Sequence, residues 1–291
     1  MIRTITLAFL AALPLGLCAN QEVEAFMNML EPDRKFSSYQ ELVEHYQQWF
    51  TTRYAEVEAD LCAATHKNLD QLVQERAVLR KEYSQPYRLE VFDVASPRFE
   101  RLLKETLKDF GVKRKIKIYA SSITGYAAAY LDFIIVNEWR MSRYSDDVIK
   151  AVFAHELQHI LFEDCLDSDH LSYQDHQEQT PRCRHMQLAE LRADVFSFLK
   201  SPTYAAAVKD YFDPKWPHSP YDIHASDAQR AIIAKTICKQ LVSVLPLYKR
   251  LAWHAIHAAR SLKTTLGRQM TVLWGRWKGK QPKVPYTLLM L

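Results

Sequence analysis

The tightest constraint on this fold is the run SDDVIKAVFAHELQHILF, residues 145–162, an apolar helical segment that carries His155, Glu156 and His159 in its middle. On a helix, residues four apart stack on one face with Cβ atoms roughly 6 Å apart, so the two imidazoles can converge on one point. Glu156 is rotated about 100° from His155 and stands beside that point instead of on it. Ser145 is placed to cap the helix, and Asp146 and Asp147 complement its dipole in the first turn. The spacing therefore predicts a helix over 146–162.

HExxH alone arises by chance in roughly a few chains per hundred of this histidine content, so the pattern needs a further donor. A catalytic zinc has three protein ligands and an open position. The stretch AELRAD supplies Glu190 and Asp194, again four apart. Glu190 can provide the carboxylate ligand, while Asp194 can hold a histidine through its second ring nitrogen. The competing reading is a closed structural zinc, which would draw on Cys165, His170, His176, Cys183 or His185. Otherwise those five are loop residues, with His185 exposed.

The flanking segments predict a helix-rich α+β fold with a small sheet. Apolar positions recur every three or four residues over 21–85, which reads as one or two amphipathic packing helices with His45 and His66 on the surface. SPRFERLLKETLKDFG has Ser96 at the N-cap, Pro97 at the first helical position and Gly111 at the stop. KRKIKIYAS alternates as a half-buried strand does, and a second strand is expected from Tyr130 to Val136. Residues 163–184 lack periodicity and read as a loop or lid. Three prolines in 211–225 make a stiff connection, and another helix begins near Asp227. The resulting division is a leader over 1–19, a helical segment over 20–95, a core over 96–235 and a basic helical segment over 236–291.

Over residues 112–233 the chain resembles the HtpX-like and CaaX-prenyl-protease-type gluzincin zinc metallopeptidases, peptidase family M forty-eight. The order of elements carries the resemblance: the strand AAAYLDFIIVN, the acidic helix cap, HELQH, then E-x-x-x-D. It implies a zincin-like domain with one zinc held by His155, His159 and Glu190, Glu156 as general base and Asp194 behind a ligand. It also implies a cleft strand, read as an edge strand near Tyr130 to Val136, in which Tyr130, Phe133 and Ile135 meet a peptide or protein substrate. HASDAQR supplies His224 and Arg230 at the spacing of a histidine and arginine that the family sets at the mouth of the site, for the transition state or as a cap on the metal. Two positions depart from the family: Ala225 stands where a proline follows that histidine, and Gln158 where HELGH has glycine.

The first 19 residues read as an export signal, with Arg3 ahead of an apolar stretch and cleavage near Cys18 or Ala19. A lipoprotein signal is the alternative there, with bulky Leu17 set against it. Export would put Cys62, Cys165, Cys183 and Cys238 in an oxidising medium, where Cys165–Cys183 is the pairing that closes the 163–184 loop and buried thiols are the alternative. The net charge of +4, one less without Arg3, does not imply a nucleic-acid partner. From Lys249 onward basic residues mix with Trp253, Trp274 and Trp277, either as a peripheral contact with an anionic membrane or as a packed helix with solvated charges. Trp139 and Arg140 follow the cleft strand, Trp139 as substrate contact or core. The function expected is an exported zinc endopeptidase of envelope quality control; a chaperone-like module with a plugged site and a secreted effector protease are the rivals.

Overall fold

The computed structural model describes residues 20–83, 92–122, 125–164, 175, 178–208, 211, 223–256 and 258. The leader, Cys165, His170, His176 and most of the proline-rich connection lie outside them. Two compact units divide the chain, residues 1–242 and 243–291. The second is helical over 247–256, and the basic tail beyond 258 lies outside the described residues. No described helix is long and apolar enough to cross a membrane.

The first unit is helix-rich with one small mixed sheet. Three helices open it: α1 (Gln21–Met29), α2 (Tyr39–Thr65) and α3 (Leu69–Tyr83), where the sequence predicts one or two. Of these, α1 and α2 are part of the core, through Val23, Phe26, Leu42, Tyr46, Phe50 and Val57, while Leu69, Val73 and Val78 of α3 are exposed. Glu22 of α1 is 0% exposed and accepts hydrogen bonds from Arg53 of α2 and from Arg184 of a later helix, α7 (Pro181–Lys200). That buried carboxylate is fully paired, as burial of a charge demands. Tyr46 of α2 donates at 2.6 Å to Gln240 of α9 (Asp227–Val244), so the amino-terminal helices are tied to both later ones. His45, expected on the surface, is half-buried against Phe36 and Tyr46.

After β1 (Asp93–Val94), α4 (Pro97–Phe110) ends at Gly111, whose φ of +68° is the left-handed conformation that glycine adopts without steric cost. The other strands are β2 (Lys117–Ala120), β3 (Ala127–Ala129) and β4 (Phe133–Val136), in the spatial order β1-β2-β4-β3. The pairs β1/β2 and β3/β4 are antiparallel, and β2/β4 is parallel. The single strand expected from Tyr130 to Val136 is thus the tight turn and second strand of a hairpin: Tyr130 N–H donates to the Phe133 carbonyl, and the two rings stack at 4.8 Å. β4 is an inner strand, paired on both sides, so Phe133 and Ile135 do not lie on an edge. The outer strand on that side is β3.

The short α5 (Glu138–Met141) leads into α6 (Asp146–Phe162), which is capped by Ser145 as expected. One flank of α6 packs on α7 and α8 (Pro202–Val208), the other on α4 and the sheet. Ile149, Phe153, Leu157 and Ile160 enter a core shared with Phe99 and Leu102 of α4 and Ile134 and Val136 of β4. Because neighbours surround the middle of α6, its polar residues His155, Gln158 and His159 are buried in protein. Trp139, in contrast, is 77% exposed and is not core.

Candidate metal centre

His155 and His159 lie in the middle of buried α6, and Glu190 and Asp194 lie on one face of α7 packed against it. The i,i+4 repeat on each helix aims two side chains at the seam. His155 Nε2 is 3.1 Å from His159 Nε2 and 3.1 Å from Glu190 Oε2, and His159 Nε2 is 3.4 Å from the same oxygen. Ligand atoms of these three residues all fall within 4.8 Å of one another, a group able to hold a metal ion. A tetrahedral zinc with bonds of ~2.0–2.1 Å separates its ligand atoms by ~3.3–3.4 Å, so the donor triangle fits such an ion in size as in chemistry.

Behind the donor triangle, His155 Nδ1 is 2.9 Å from Asp194 Oδ1, where its N–H donates and the Nε2 edge is left toward the triangle. Asp194 is itself gripped by Arg230 of α9, which donates from Nε and Nη2 at 2.7 Å each. Arg230 is therefore not at the mouth, as the resemblance implies. Its side chain, 14% exposed, stands behind Asp194 and reaches His155 through that carboxylate. On the other ring, His159 Nδ1 faces Asp164 Oδ2 at 3.3 Å, a partner that sequence spacing had not marked.

The charges reinforce one another. Burial disfavours ionised Asp194, but Arg230 and His155 outweigh it and hold this carboxyl well below the usual range. Burial likewise disfavours ionised Glu190, and His224 and His159 reverse the effect, so Glu190 stays anionic far below its ordinary pKa. Both imidazoles feel the opposite balance: desolvation lowers their pKa, and Asp194 for His155, with Glu190 and Asp164 for His159, raises it above the ordinary histidine value.

His224 reaches the site. Its Nε2 is 2.9 Å from Glu190 Oε2, and its ring stacks near that of His155 at 6.3 Å. The preceding Ile223 carbonyl is held by Asn20 Nδ2 at 3.0 Å, and Ala225, in the family's proline position, is buried. Glu156 is half-buried on α6. Its charge is among those acting on Tyr211, whose phenol burial pushes well above its usual range. Tyr211, packed between Tyr126 and Tyr144, is therefore a neighbour of the expected base that no motif had pointed to.

Among the described residues, the alternative donors Cys183 and His185 are not part of the group that gathers His155, His159 and Glu190. His185 is not exposed but 5% accessible on α7, its ring against Tyr54. Cys183 is buried, with its Sγ 3.5 Å from Gln187 Nε2. Cys165, needed for the expected disulfide, lies outside the described residues. Tyr130 is 37% exposed at the tip of the β3–β4 hairpin. Comparison with protein-family models, with curated proteins and with solved structures finds no match to this chain.

Proposed function

We propose that this chain is an exported, zinc-dependent endopeptidase with a zincin-like core. The single observation that carries the reading is the convergence of His155 Nε2, His159 Nε2 and Glu190 Oε2, with His155 backed by Asp194. Two imidazoles and a carboxylate are the donor set of a hydrolytic zinc site, and a zinc held there would acidify a water and polarise a carbonyl.

The chain's own residues supply the rest. Glu156, adjacent to His155 in the chain, would take a proton from the attacking water and return it to the leaving amine nitrogen. Asp194 and Arg230 keep the His155 ring fixed while charge develops. A peptide in extended form would add to the outer edge of β3, Ala127–Ala129, which packs beside α6. Action on envelope proteins rests on the export signal and the family resemblance alone.

The contact between His224 and Glu190 favours a second reading of the same centre, in which His224 restrains a ligand and keeps the site latent. The primary test compares wild type, Glu156→Gln and Glu190→Ala for bound zinc and for cleavage of an unfolded protein substrate. The expectation is one zinc per chain in the first two, turnover only in the first, and loss of zinc in the third. Equal turnover in wild type and Glu156→Gln sinks the enzyme reading, and full zinc in Glu190→Ala sinks the ligand set.

A further inference from the structure

The second histidine has its own carboxylate and its own cation. Past Phe162 the chain reverses at Glu163, whose φ of 62° is left-handed. A side-chain-bearing residue holds that conformation only where its surroundings impose it. The reversal returns Asp164 toward α6, so that its Oδ2 lies 3.3 Å from His159 Nδ1. The other oxygen, Oδ1, accepts from Nη2 of Arg192 on α7. Arg192 is held flat in turn: its guanidinium carbon is 3.9 Å from the Phe162 ring centre and 4.4 Å from that of Tyr54 on α2.

We propose that Asp164 and Arg192 are positioning residues for His159. Asp164 accepts a hydrogen bond from Nδ1–H and leaves Nε2 turned toward His155 and Glu190. Arg192, clamped between two aromatic rings, fixes where Asp164 can stand. Both histidines then carry the same chain of contacts, His155–Asp194–Arg230 on one side and His159–Asp164–Arg192 on the other. An ion pair that merely finished a helix would not need a ligand ring as its third member. Asp164 is 7% exposed, and it spends one oxygen on the ring and one on the arginine. The arrangement also makes α2 a support of the metal centre, because Tyr54 is one jaw of the clamp.

This inference rests on the metal-centre reading, and its test separates the two. Full-length wild type, Asp164→Ala and Arg192→Met are compared for zinc affinity by chelator competition. The ring-nitrogen NMR signals of His155 and His159 are compared in the metal-free proteins. Zinc affinity is expected to fall about 10–100-fold in Asp164→Ala, the usual effect of losing such a partner, and by a smaller factor in Arg192→Met. The His159 nitrogens, Nδ1 above all, should shift in both variants by more than those of His155, whose Nδ1 keeps its Asp194 partner, a selectivity that general loosening of the fold would not give. Should Asp164→Ala fail to fold, Arg192→Met retains the carboxylate and still reports. Wild type that holds no zinc overturns the metal centre and this assignment together. Tight binding by wild type, with affinity and His159 signals unchanged in the variants, overturns this assignment alone.

Discussion

Arg230 grips both oxygens of Asp194, with Nε and Nη2 each at 2.7 Å, and the same carboxylate accepts a hydrogen bond from Nδ1–H of His155. A residue on α9 thereby sets the orientation of a ring on α6 through a carboxylate on α7. The two-point contact matters because a planar fork fixes the carboxylate plane, which a single ammonium cannot.

Removing Arg230 should therefore cost more than its own contacts. Arg230→Met leaves Asp194 charged, buried and half-satisfied, a change expected to destabilise the fold by about 3–5 kcal/mol. Asp194→Asn on top of it removes the stranded charge and should recover part of the loss. Urea unfolding of the two single variants and the double variant measures the coupling, and strictly additive effects would contradict the pairing.

The metal-free protein should lose stability as pH rises above the ordinary histidine range. Both imidazoles have raised folded-state pKa values. Their contribution is complete below the unfolded value of about 6.5 and disappears as pH climbs through the raised ones. Zinc binding runs the other way, because the ion competes with protons for the same nitrogens. Melting curves from pH 6 to 9 with and without chelator check both slopes; a flat metal-free profile would refute the first.

His224→Ala distinguishes a restraint from a substrate contact. Since Nε2 lies 2.9 Å from Glu190 Oε2, the expected outcome is unchanged zinc content and a rise in turnover, about tenfold for each ~1.4 kcal/mol of restraint removed. A fall of similar size would show that the side chain serves the reaction instead.

Phe153 tests the packing that holds α6 in place. It is 0% exposed and meets Phe99 at a ring separation of 6.3 Å. Phe153→Ala should cost about 3–5 kcal/mol through lost burial and the remaining cavity. A loss below ~1 kcal/mol in thermal or urea unfolding would mean that the helix is held by something other than this core.

Much of the donor set was legible from spacing, because i,i+4 on a helix is a local fact that needs no knowledge of the rest of the chain. His155 with His159, and Glu190 with Asp194, could each be assigned to one helix face from their numbers. The cap at Ser145 and the stop at Gly111 were local in the same sense. Asp164 was not legible: it stands five residues past His159, beyond a left-handed turn at Glu163 that no residue preference announces. Arg192 lies among ordinary helix charges until Tyr54 and Phe162 are seen around it. The strand error has the same origin. Apolar content marks Ile134 to Val136 as buried, but whether a strand is inner or outer depends on which neighbours pair with it, and Tyr130 reads as strand until the hairpin closes.

The sequence by itself determined two helices, each carrying a pair of metal-competent side chains on one face, within a helix-rich chain that includes a small sheet. Tertiary structure decided that the faces meet, that Arg230 stands behind Asp194 and not at the mouth, and that α1 and α2 pack with the later helices. The reason is range: helical period fixes direction over a few residues. Meeting across 35 residues from His155 to Glu190, or across 138 from Tyr54 to Arg192, depends on packing that apolar side chains share throughout the unit.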